Sequence, residues 1–485
     1  MRSRFFFLAC VVALSVSARA ADPVESDFYK IEPFTLPDGL VAEVGSIELL
    51  PDQKVAFGTR RGEIWIVEGA MGADVSLAKF TKFAEGLHEI LGLAWKDGWL
   101  YVTQRPEVSR LKDKDGDGRA DLFETVNAGW NITGDYHEYA FGSRFDREGN
   151  LWATLCLTGS FHSSAPYRGW CVRITPDGKM LPTCAGLRSP GGVGFNAAGD
   201  AFYTDNQGVW NGSSALKWLK PGSFHGNSEA LRWWDEKVMG PKPLESVSGT
   251  RITAERERNP LFVPPSVILP HDRMGHSPTG WDYDTNGKFG PFKEQLLVGE
   301  QTYSTVDRVY LEKVNGIYQG ASFEFLKGFQ SGLIGVRMAE DGTFFAGGSD
   351  RGWGSRGGKP FDFERVRWTG KMPFEIHEIH AQPQGFELTF TKPVDVATAK
   401  AAGSYDMEAW TYIWQSSYGS PEVDQVKPKV EVISVADDGL SVQLKVAPLT
   451  KGHVHAISAK GLRSKDGEPV LHPTGYYTLN EIPNP

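Results

Sequence analysis

This chain contains few cysteines, none of the common catalytic signature motifs and no excess of positive charge. It has 4 cysteines among 485 residues, which excludes a small disulfide-stapled scaffold, because such scaffolds are short and rich in cysteine. The sequence contains no GxSxG elbow, HExxH motif, phosphate loop or CxxCH site, so it lacks the signatures of serine hydrolases, zincins, NTPases and c-type cytochromes. The formal net charge of −9 argues against a nucleic-acid partner.

Only one apolar run suggests a membrane, and it lies at the N-terminus. A basic start is followed by apolar residues from Phe5 to Val16 and by the small-residue pattern Ala18-Arg19-Ala20. The run is too short to span a bilayer comfortably. We therefore interpret residues 1–20 as a secretory signal peptide. The mature chain is expected to be exported, periplasmic or secreted, with no transmembrane segment.

Export would permit a disulfide among the three remaining cysteines. Cys171 and Cys184 lie symmetrically about the turn Asp177-Gly178, so a tight hairpin would place them face to face. Cys156 could pair with either of them. The sequence leaves the pairing open.

A hairpin pattern recurs along the chain and predicts the fold. Two short apolar segments flank a polar, usually Gly-containing turn, and successive second strands lie roughly 45 to 50 residues apart with one double gap. Such repeats bury their faces by stacking around an axis. Six of them predict an all-β, six-bladed β-propeller over residues 21–369. The six turns lie at residues 51–53, 96–98, 146–150, 196–200, 285–287 and 340–342.

Two stretches depart from the blade pattern. Residues 228–270 are rich in proline and mixed charge, which indicates a long insertion of the kind that often shapes a binding surface. After residue 373 the blade turns stop and alternating strand patterns begin. We predict a small Ig-like β-sandwich over residues 374–485.

An acidic loop carries the most specific local motif. Residues 113–124, DKDGDGRADLFE, fit the calcium-loop pattern D-x-D-x-D-G-x5-E. Such a loop holds Ca²⁺ through oxygen ligands and turns on its central glycine. The segment before it is predicted to be a strand, so we predict a rigid structural calcium site, with a solvated acidic loop as the alternative. The predicted ligands are Asp113, Asp115, Asp117, Arg119 (through its carbonyl), Asp121 and Glu124.

Polar residues recur in phase with the blades. They precede each of the last five inner strands at His88, His137, Arg188, His276 and Gln330-Ser331. Equivalent positions of a propeller surround one end of its axis, so these side chains are expected to ring the channel mouth. Structural capping of the loops is the alternative. Weaker candidates end the second strands of the blades: Arg60, Arg61, Gln104, Arg105, Asp205, Asn206, Gln207, Glu300, Gln301, Asp350 and Arg351.

The sequence also resembles a known family over residues 40–368. The stretches HEYAFGSRFDREGNLWATL and GLRSPGGVGFNAAGDAFYTDNQG resemble the six-bladed soluble quinoprotein glucose/sorbosone dehydrogenase group. The DxDGDGxAD loop is similar to that of its bacterial membrane-bound dehydrogenase branch. The C-terminal segments SYGSPEV and LHPTGYYTLN resemble the Ig-like domain appended to some members.

This resemblance implies an oxidoreductase that acts on a sugar at the channel mouth. By position, His137 would be the general base that takes the sugar hydroxyl proton, with His88 and His276 beside it. Arg188 would bind pyrroloquinoline quinone (PQQ) or an oxyanion, together with Asn206, Gln301, Arg351 and Arg105. Where the family has lysine and arginine in the last blades, this chain has Gln301 and Gln330-Ser331. An external electron acceptor such as a cytochrome is also implied.

Two other functions remain open from the residues alone. His88, His137 and His276 could hold a transition metal for a carbohydrate lyase or hydrolase, because neutral imidazoles suit such ions. Alternatively, the propeller could bind a glycan or a protein without catalysis.

Overall fold

The computed structural model describes residues 22–157 and 163–485. The predicted signal peptide at residues 1–20 lies outside the described residues. Within the described ranges, no helix combines the length and apolarity that a membrane crossing requires.

The described chain is built almost entirely of antiparallel strands. Among the described residues, the first 24 strands form six units of four: five are separate four-stranded sheets, and the sixth is half of an eight-stranded sheet. Strand β1 (Tyr29–Pro33) comes first. The first two sheets then comprise β2 (Val44–Leu49), β3 (Val55–Thr59), β4 (Ile64–Glu68) and β5 (Lys79–Ala84), and β6 (Gly92–Lys96), β7 (Trp99–Thr103), β8 (Val108–Lys112) and β9 (Leu122–Asn127).

The remaining sheets repeat this four-strand unit. The third and fourth comprise β10 (Ala140–Phe145), β11 (Leu151–Leu155), β12 (Trp170–Ile174) and β13 (Met180–Ala185), and β14 (Pro190–Phe195), β15 (Ala201–Asp205), β16 (Ser214–Trp218) and β17 (Val267–Leu269). The fifth begins with β18 (Pro278–Tyr283), β19 (Leu296–Glu300), β20 (Thr305–Val314) and β21 (Ile317–Leu326), and the sixth contains β22 (Leu333–Met338), β23 (Phe344–Ser349) and β24 (Phe361–Trp368).

These sheets are the blades of a six-bladed propeller. The first strand of each, β2, β6, β10, β14, β18 and β22, contacts the first strand of both neighbours, and the ring closes between β22 and β2. The N-terminal β1 pairs with β24 and so supplies the outer strand of the last blade. The two ends of the propeller sequence are thereby joined in one sheet.

The turn in blade three shows why the repeat forms hairpins. Gly149 has φ = 84°, a conformation that costs glycine little. The Asp146 carboxylate accepts hydrogen bonds from the backbone N–H of Glu148 and Asn150 at 3.0 and 2.8 Å and from the Trp152 indole at 2.9 Å. One acidic side chain thus fixes both the turn and the first residues of β11. The six hairpins predicted from the sequence are all present in the pairings β2–β3, β6–β7, β10–β11, β14–β15, β18–β19 and β22–β23.

The proline-rich stretch at residues 228–270 leads to the outer strand of blade four. It contains a 3₁₀ helix (Ser228–Trp233), helices α1 (Glu236–Met239) and α2 (Ile252–Arg258), and then β17. Trp234 packs on Trp170 of β12 with ring centroids 5.6 Å apart. The stretch therefore covers the side of blade three rather than extending into solvent.

The C-terminal region forms two packed sheets, and one of them continues blade five. Its strands are β25 (Ile376–Gln382), β26 (Gly385–Phe390), β27 (Asp406–Tyr412), β28 (Glu422–Val426), β29 (Lys429–Val435), β30 (Ser441–Ala447), β31 (His453–Ser458) and β32 (Thr474–Leu479), with α3 (Val396–Lys400) between β26 and β27. One sheet has the order β25-β26-β30-β29, while β32-β31-β27-β28 extends from β21. Phe323 of β21 belongs to the same core as Phe386 and Tyr477, so the propeller contributes to the core of the sandwich.

The three cysteines beyond the predicted signal peptide are all buried. Cys171 of β12 faces Cys184 of β13 in the strand register, as the turn between them predicts. Cys156 lies elsewhere, with its Sγ 3.8 Å from the carbonyl oxygen of Arg188. Cys171 and Cys184 are therefore neighbours, and all three cysteines are thiols in this structure.

Candidate functional site

One cavity of about 500 Å³ lies where the blades' inner strands begin. In each hairpin the start of the first strand and the end of the second lie at the same edge, because the strands are antiparallel. Residues from several blades therefore converge there. No Asp or Glu occurs among the described residues that line the cavity. The polar and aromatic members of the lining are Arg60, His137, Tyr139, Phe141, Arg188, Ser189, Asn206, Gln207, His271, His276, Ser277, Thr279, Gln301, Thr302, Trp353 and Tyr418.

His137 is a half-buried member of the lining. Its backbone N–H donates to Asp135 Oδ1 at 2.8 Å, and its ring meets Tyr136 edge-on at 5.1 Å. Burial lowers the pKa of the imidazole, and the positive charges of Arg188 and Arg105 lower it further against the opposing effect of Asp135. The side chain is therefore neutral at neutral pH and can accept a proton.

Arg188 is held in the lining by a buried ionic network behind it. The Asp205 carboxylate, which is fully buried, accepts from Ser189 N–H at 2.7 Å and from Lys217 Nζ at 2.9 Å. Burial raises the pKa of Asp205, but Lys217, the Ser189 N–H and Arg188 together outweigh that effect, and the net shift is downward. The ionised carboxylate thus anchors the backbone that presents Arg188, whose guanidinium carbon lies 5.1 Å from the centre of the Tyr418 ring.

Arg60 adds a second guanidinium to the cavity, but it shares its charge with a carboxylate. Glu89 accepts from Arg60 Nε at 2.7 Å and from Arg105 Nε at 2.5 Å. Burial raises the pKa of Glu89, and the two arginines overcome this and hold it below its usual range. Glu89 therefore links Arg60, in the cavity wall, to Arg105, which lies outside the cavity lining.

The structure separates several residues that the sequence analysis placed in one ring. His137, Arg188, Asn206, Gln301 and His276 line the cavity. His88, which was expected in the ring with them, lines an adjoining groove instead, and so do the strand-end candidates Arg105 and Arg351. The loop after β9 separates the two spaces, because its Tyr136 lines the groove and its His137 lines the cavity. Ser331, also placed in the ring, is fully buried.

The three histidines expected to share a metal also lie apart. His88 lies in the groove, and no group of metal-ligating atoms in the described chain unites His137 with His276. His276 instead stacks on His271, with ring centroids 4.1 Å apart. Burial, together with the neighbouring His276, lowers the pKa of His271. The blade phase alone could not find His271, which lies five residues before the phased position.

Two aromatic residues that do not follow the blade period also line the cavity. Trp353 and Tyr418 are 44% and 67% exposed, although both line it. Tyr418 comes from the loop between β27 and β28, and that loop reaches the propeller through a bridge between Val209 and Tyr418. The neighbouring Trp410 and Trp414 are buried. The C-terminal region therefore contributes to the cavity.

The acidic loop brings together three of the residues predicted to bind calcium. Oxygen atoms of Asp113, Asp115 and Asp117 lie within 4.8 Å of one another. The Asp113 carboxylate accepts from the N–H of Gly116 and Gly118 at 2.7 and 2.9 Å, and these bonds lower its pKa.

The rest of the predicted ligand set lies differently. Asp121 Oδ2 accepts from the N–H of Lys114 and Asp115, both at 3.2 Å. Arg119 has its N–H bonded to Asp117 Oδ1 at 2.8 Å. The expectation that Glu124 closes the site is corrected, because this residue lies on β9 and pairs with Arg110 across the strands at 2.6 Å.

Comparison with known proteins gives a family model and a set of structures. Residues 51–266 match a family model described as a domain of unknown function, DUF7133. No curated protein matches the chain. The PQQ-bound aldose sugar dehydrogenase from Streptomyces coelicolor is 17% identical and covers 72% of this chain and 100% of its own, with a TM-score of 0.51.

Two further structures are similar to the same extent. An oxidoreductase from Thermus thermophilus, described as a glucose dehydrogenase, is 18% identical, covers 70% of this chain and 99% of its own, and gives a TM-score of 0.50. A Trichoderma reesei enzyme of carbohydrate-active family AA12 is 13% identical, covers 74% and 100%, and gives 0.50. The shared feature is the fold. At these identities, function has to be argued from the site.

Proposed function

We propose that the protein is a sugar-oxidising dehydrogenase of the quinoprotein type. The observation that carries this proposal is the cavity itself: a neutral histidine, two arginines and aromatic faces enclose about 500 Å³ with no carboxylate among the described lining residues. The similar structures of an aldose sugar dehydrogenase and a glucose dehydrogenase support the proposal by analogy.

The donor set fits a planar anion of the PQQ type. Arg188 is the main partner for a carboxylate, because a guanidinium can bind both oxygens. Arg60 adds positive charge to the wall but is already bonded to Glu89. Asn206 and Gln301 offer amide groups, and the aromatic rings of the lining offer flat faces. Bound quinone would supply a hydride acceptor for oxidation of a sugar hydroxyl.

The residues of this chain would then position the sugar and move its proton. His137 accepts the hydroxyl proton, since the neutral imidazole is its resting form. Trp353 and Tyr418 offer exposed ring faces on which a sugar can pack its apolar side. Arg188 stabilises negative charge that develops beside it. Reoxidation would need an external electron acceptor such as a cytochrome, and we place the reaction outside the cytoplasm on the strength of the predicted signal peptide.

Calorimetric titration with PQQ tests the cofactor assignment. Wild-type protein is expected to bind one equivalent, and Arg188→Gln to bind at least about tenfold more weakly, because a charge-assisted bond is worth roughly 1.5–3 kcal/mol. Arg110→Gln is the matched control, since Arg110 pairs with Glu124 at the partly exposed edge of blade two. Binding that is equal in all three proteins, or absent from the wild type, would contradict the assignment.

A further inference from the structure

The loop between β17 and β18 brings together three side chains of the metal-ligating type. His271, Asp272 and His276 each offer one ligand atom, and these atoms lie within 4.8 Å of one another. The loop connects blade four to blade five and borders the cavity, because His271 and His276 both line it. This grouping uses one histidine of the predicted ring and two residues outside it.

The backbone of this loop is fixed at several points. His271 N–H donates to Ser213 Oγ at 2.9 Å, and His276 N–H donates to Glu300 Oε1 at 2.9 Å. Asp272 N–H donates to the carbonyl of Gly275 at 3.2 Å. Asp272 has φ = 66°, a left-handed conformation that Asp tolerates better than most residues. The three side chains are therefore presented by a preorganised turn.

The side chains offer donor atoms that the surrounding protein leaves partly unused. His276 Nε2 forms a hydrogen bond with Asp272 Oδ1 and lies 3.2 Å from the Tyr303 hydroxyl. Nδ1 of His271 is buried and has no hydrogen-bond partner in the described part of the chain. A structural Asp–His pair, with His271 stacked on it, explains the first contact but not the unpartnered Nδ1 of His271.

We propose that His271, Asp272 and His276 bind one divalent transition-metal ion of the zinc class at the wall of the cavity. Ligand atoms around a tetrahedral Zn²⁺ lie roughly 3.3 Å apart, given bond lengths of about 2.0–2.1 Å. The three donor atoms, all within 4.8 Å of one another, lie near that spacing. Two imidazoles and one carboxylate suit Zn²⁺ better than Ca²⁺ or Mg²⁺, which prefer all-oxygen sites.

The position of this site gives the ion a role beyond structure. Three protein ligands leave a fourth position for water or for an oxygen of a bound molecule. Since two of the ligands line the cavity, that position is accessible from it. An ion there would bind a hydroxyl or carboxylate of the occupant, independently of whether a quinone also binds.

Zinc titration of untagged, chelator-treated protein tests the proposal. We expect one Zn²⁺ per chain by elemental analysis after gel filtration, and Co²⁺ at the same stoichiometry as a spectroscopic probe. His271→Ala and Asp272→Asn are each expected to weaken binding by at least about tenfold, the range seen when even supporting groups of a metal site are removed. Thermal melts in the absence of metal check that the variants are folded.

His88→Ala and His137→Ala are the matched controls, because these residues lie outside the cluster. Unchanged stoichiometry in both, with loss in His271→Ala and Asp272→Asn, supports the proposed ligands. Loss in the two controls with retention in the cluster variants would identify the phased histidines as ligands and overturn the proposal. Wild-type protein that binds no stoichiometric Zn²⁺ or Co²⁺ would also overturn it. Metal content is measured without any activity, so this outcome and that of the quinone titration are separate.

Discussion

At the scale of single residues, pairing decides which cations serve the cavity. Arg105 and Arg351 each end the second strand of a blade, and the sequence analysis therefore included them among the candidate cofactor-binding residues. Yet Arg105 bonds Glu89, and Arg351 bonds Glu43 at 3.1 Å. Arg188 instead has its guanidinium against an aromatic ring in the cavity. Alignment of the blades predicts where a side chain leaves the backbone. It does not predict the residues of other blades with which that side chain pairs.

Tyr418 gives a prediction at this scale. Tyr418→Ala is expected to raise KM for the sugar about tenfold with a smaller effect on kcat, because it removes a packing surface and leaves His137 in place. Tyr418→Phe should retain most of the affinity, since the ring face remains. Steady-state kinetics measure both. Equal losses in the two variants would mean that the hydroxyl, and not the ring, is what matters.

At the scale of elements, most of the fold could be predicted from the sequence. The hairpins follow from local chemistry such as the Asp146 turn, so consecutive residues determine their positions. The candidate site could be predicted only where it follows the blade period, as for His137, Arg188 and His276. His271 and Tyr418 lie off that period, and their places depend on a loop turn and on how two sheets meet.

The acidic loop between β8 and β9 gives a prediction at the scale of a single element. The sequence predicts calcium binding, and an ion that binds only the folded state at about 100 times its dissociation constant adds roughly 2.7 kcal/mol. Chelation is therefore expected to lower Tm of the wild type but not that of Asp115→Asn. Glu124→Gln should keep the chelator response, because Glu124 pairs with Arg110. A wild-type Tm that chelator leaves unchanged, after long incubation, would contradict the prediction.

At the scale of the whole molecule, the C-terminal region and the propeller form one continuous structure. Strand β32 pairs with β21 of blade five. Arg308 of β20 donates to the carbonyls of His377 and Ile376 at 2.9 and 2.8 Å. The sequence predicted a sandwich after residue 373 but could not show this shared sheet, since strand pairing between segments so distant in sequence leaves no local pattern.

His472 links the two ends of the described chain and gives a pH prediction. Its ring bonds Glu375 Oε1 at 2.6 Å and Glu25 Oε1 at 3.1 Å. Burial lowers the pKa of His472, but the two carboxylates outweigh this and raise it to about 9. A folded-state pKa above the unfolded value of about 6.5 means that this stabilisation is complete below about pH 6.5 and is lost as pH rises through about 9.

Thermal melts from about pH 6 to 10 are therefore expected to show a falling Tm, and His472→Gln should flatten part of that fall. His380, whose pKa the neighbouring Glu312 and Glu378 raise to about 9 against the effect of burial, contributes in the same window. His453→Gln serves as the control. If Tm of His472→Gln falls with pH as steeply as that of the wild type, His472 does not titrate as described.

Sugar-dependent dye reduction by quinone-loaded protein tests most directly whether the protein oxidises sugars with His137 as the general base. Wild-type protein is expected to turn over, with an acid limb of the pH–rate profile centred below about pH 6.5, because burial lowers the pKa of His137. His137→Ala should lose about 10²- to 10⁴-fold in kcat with Tm unchanged, while His453→Ala keeps wild-type rates. Dye reduction that is absent from the wild type, or equal in wild type and His137→Ala across a panel of aldoses, would contradict the account.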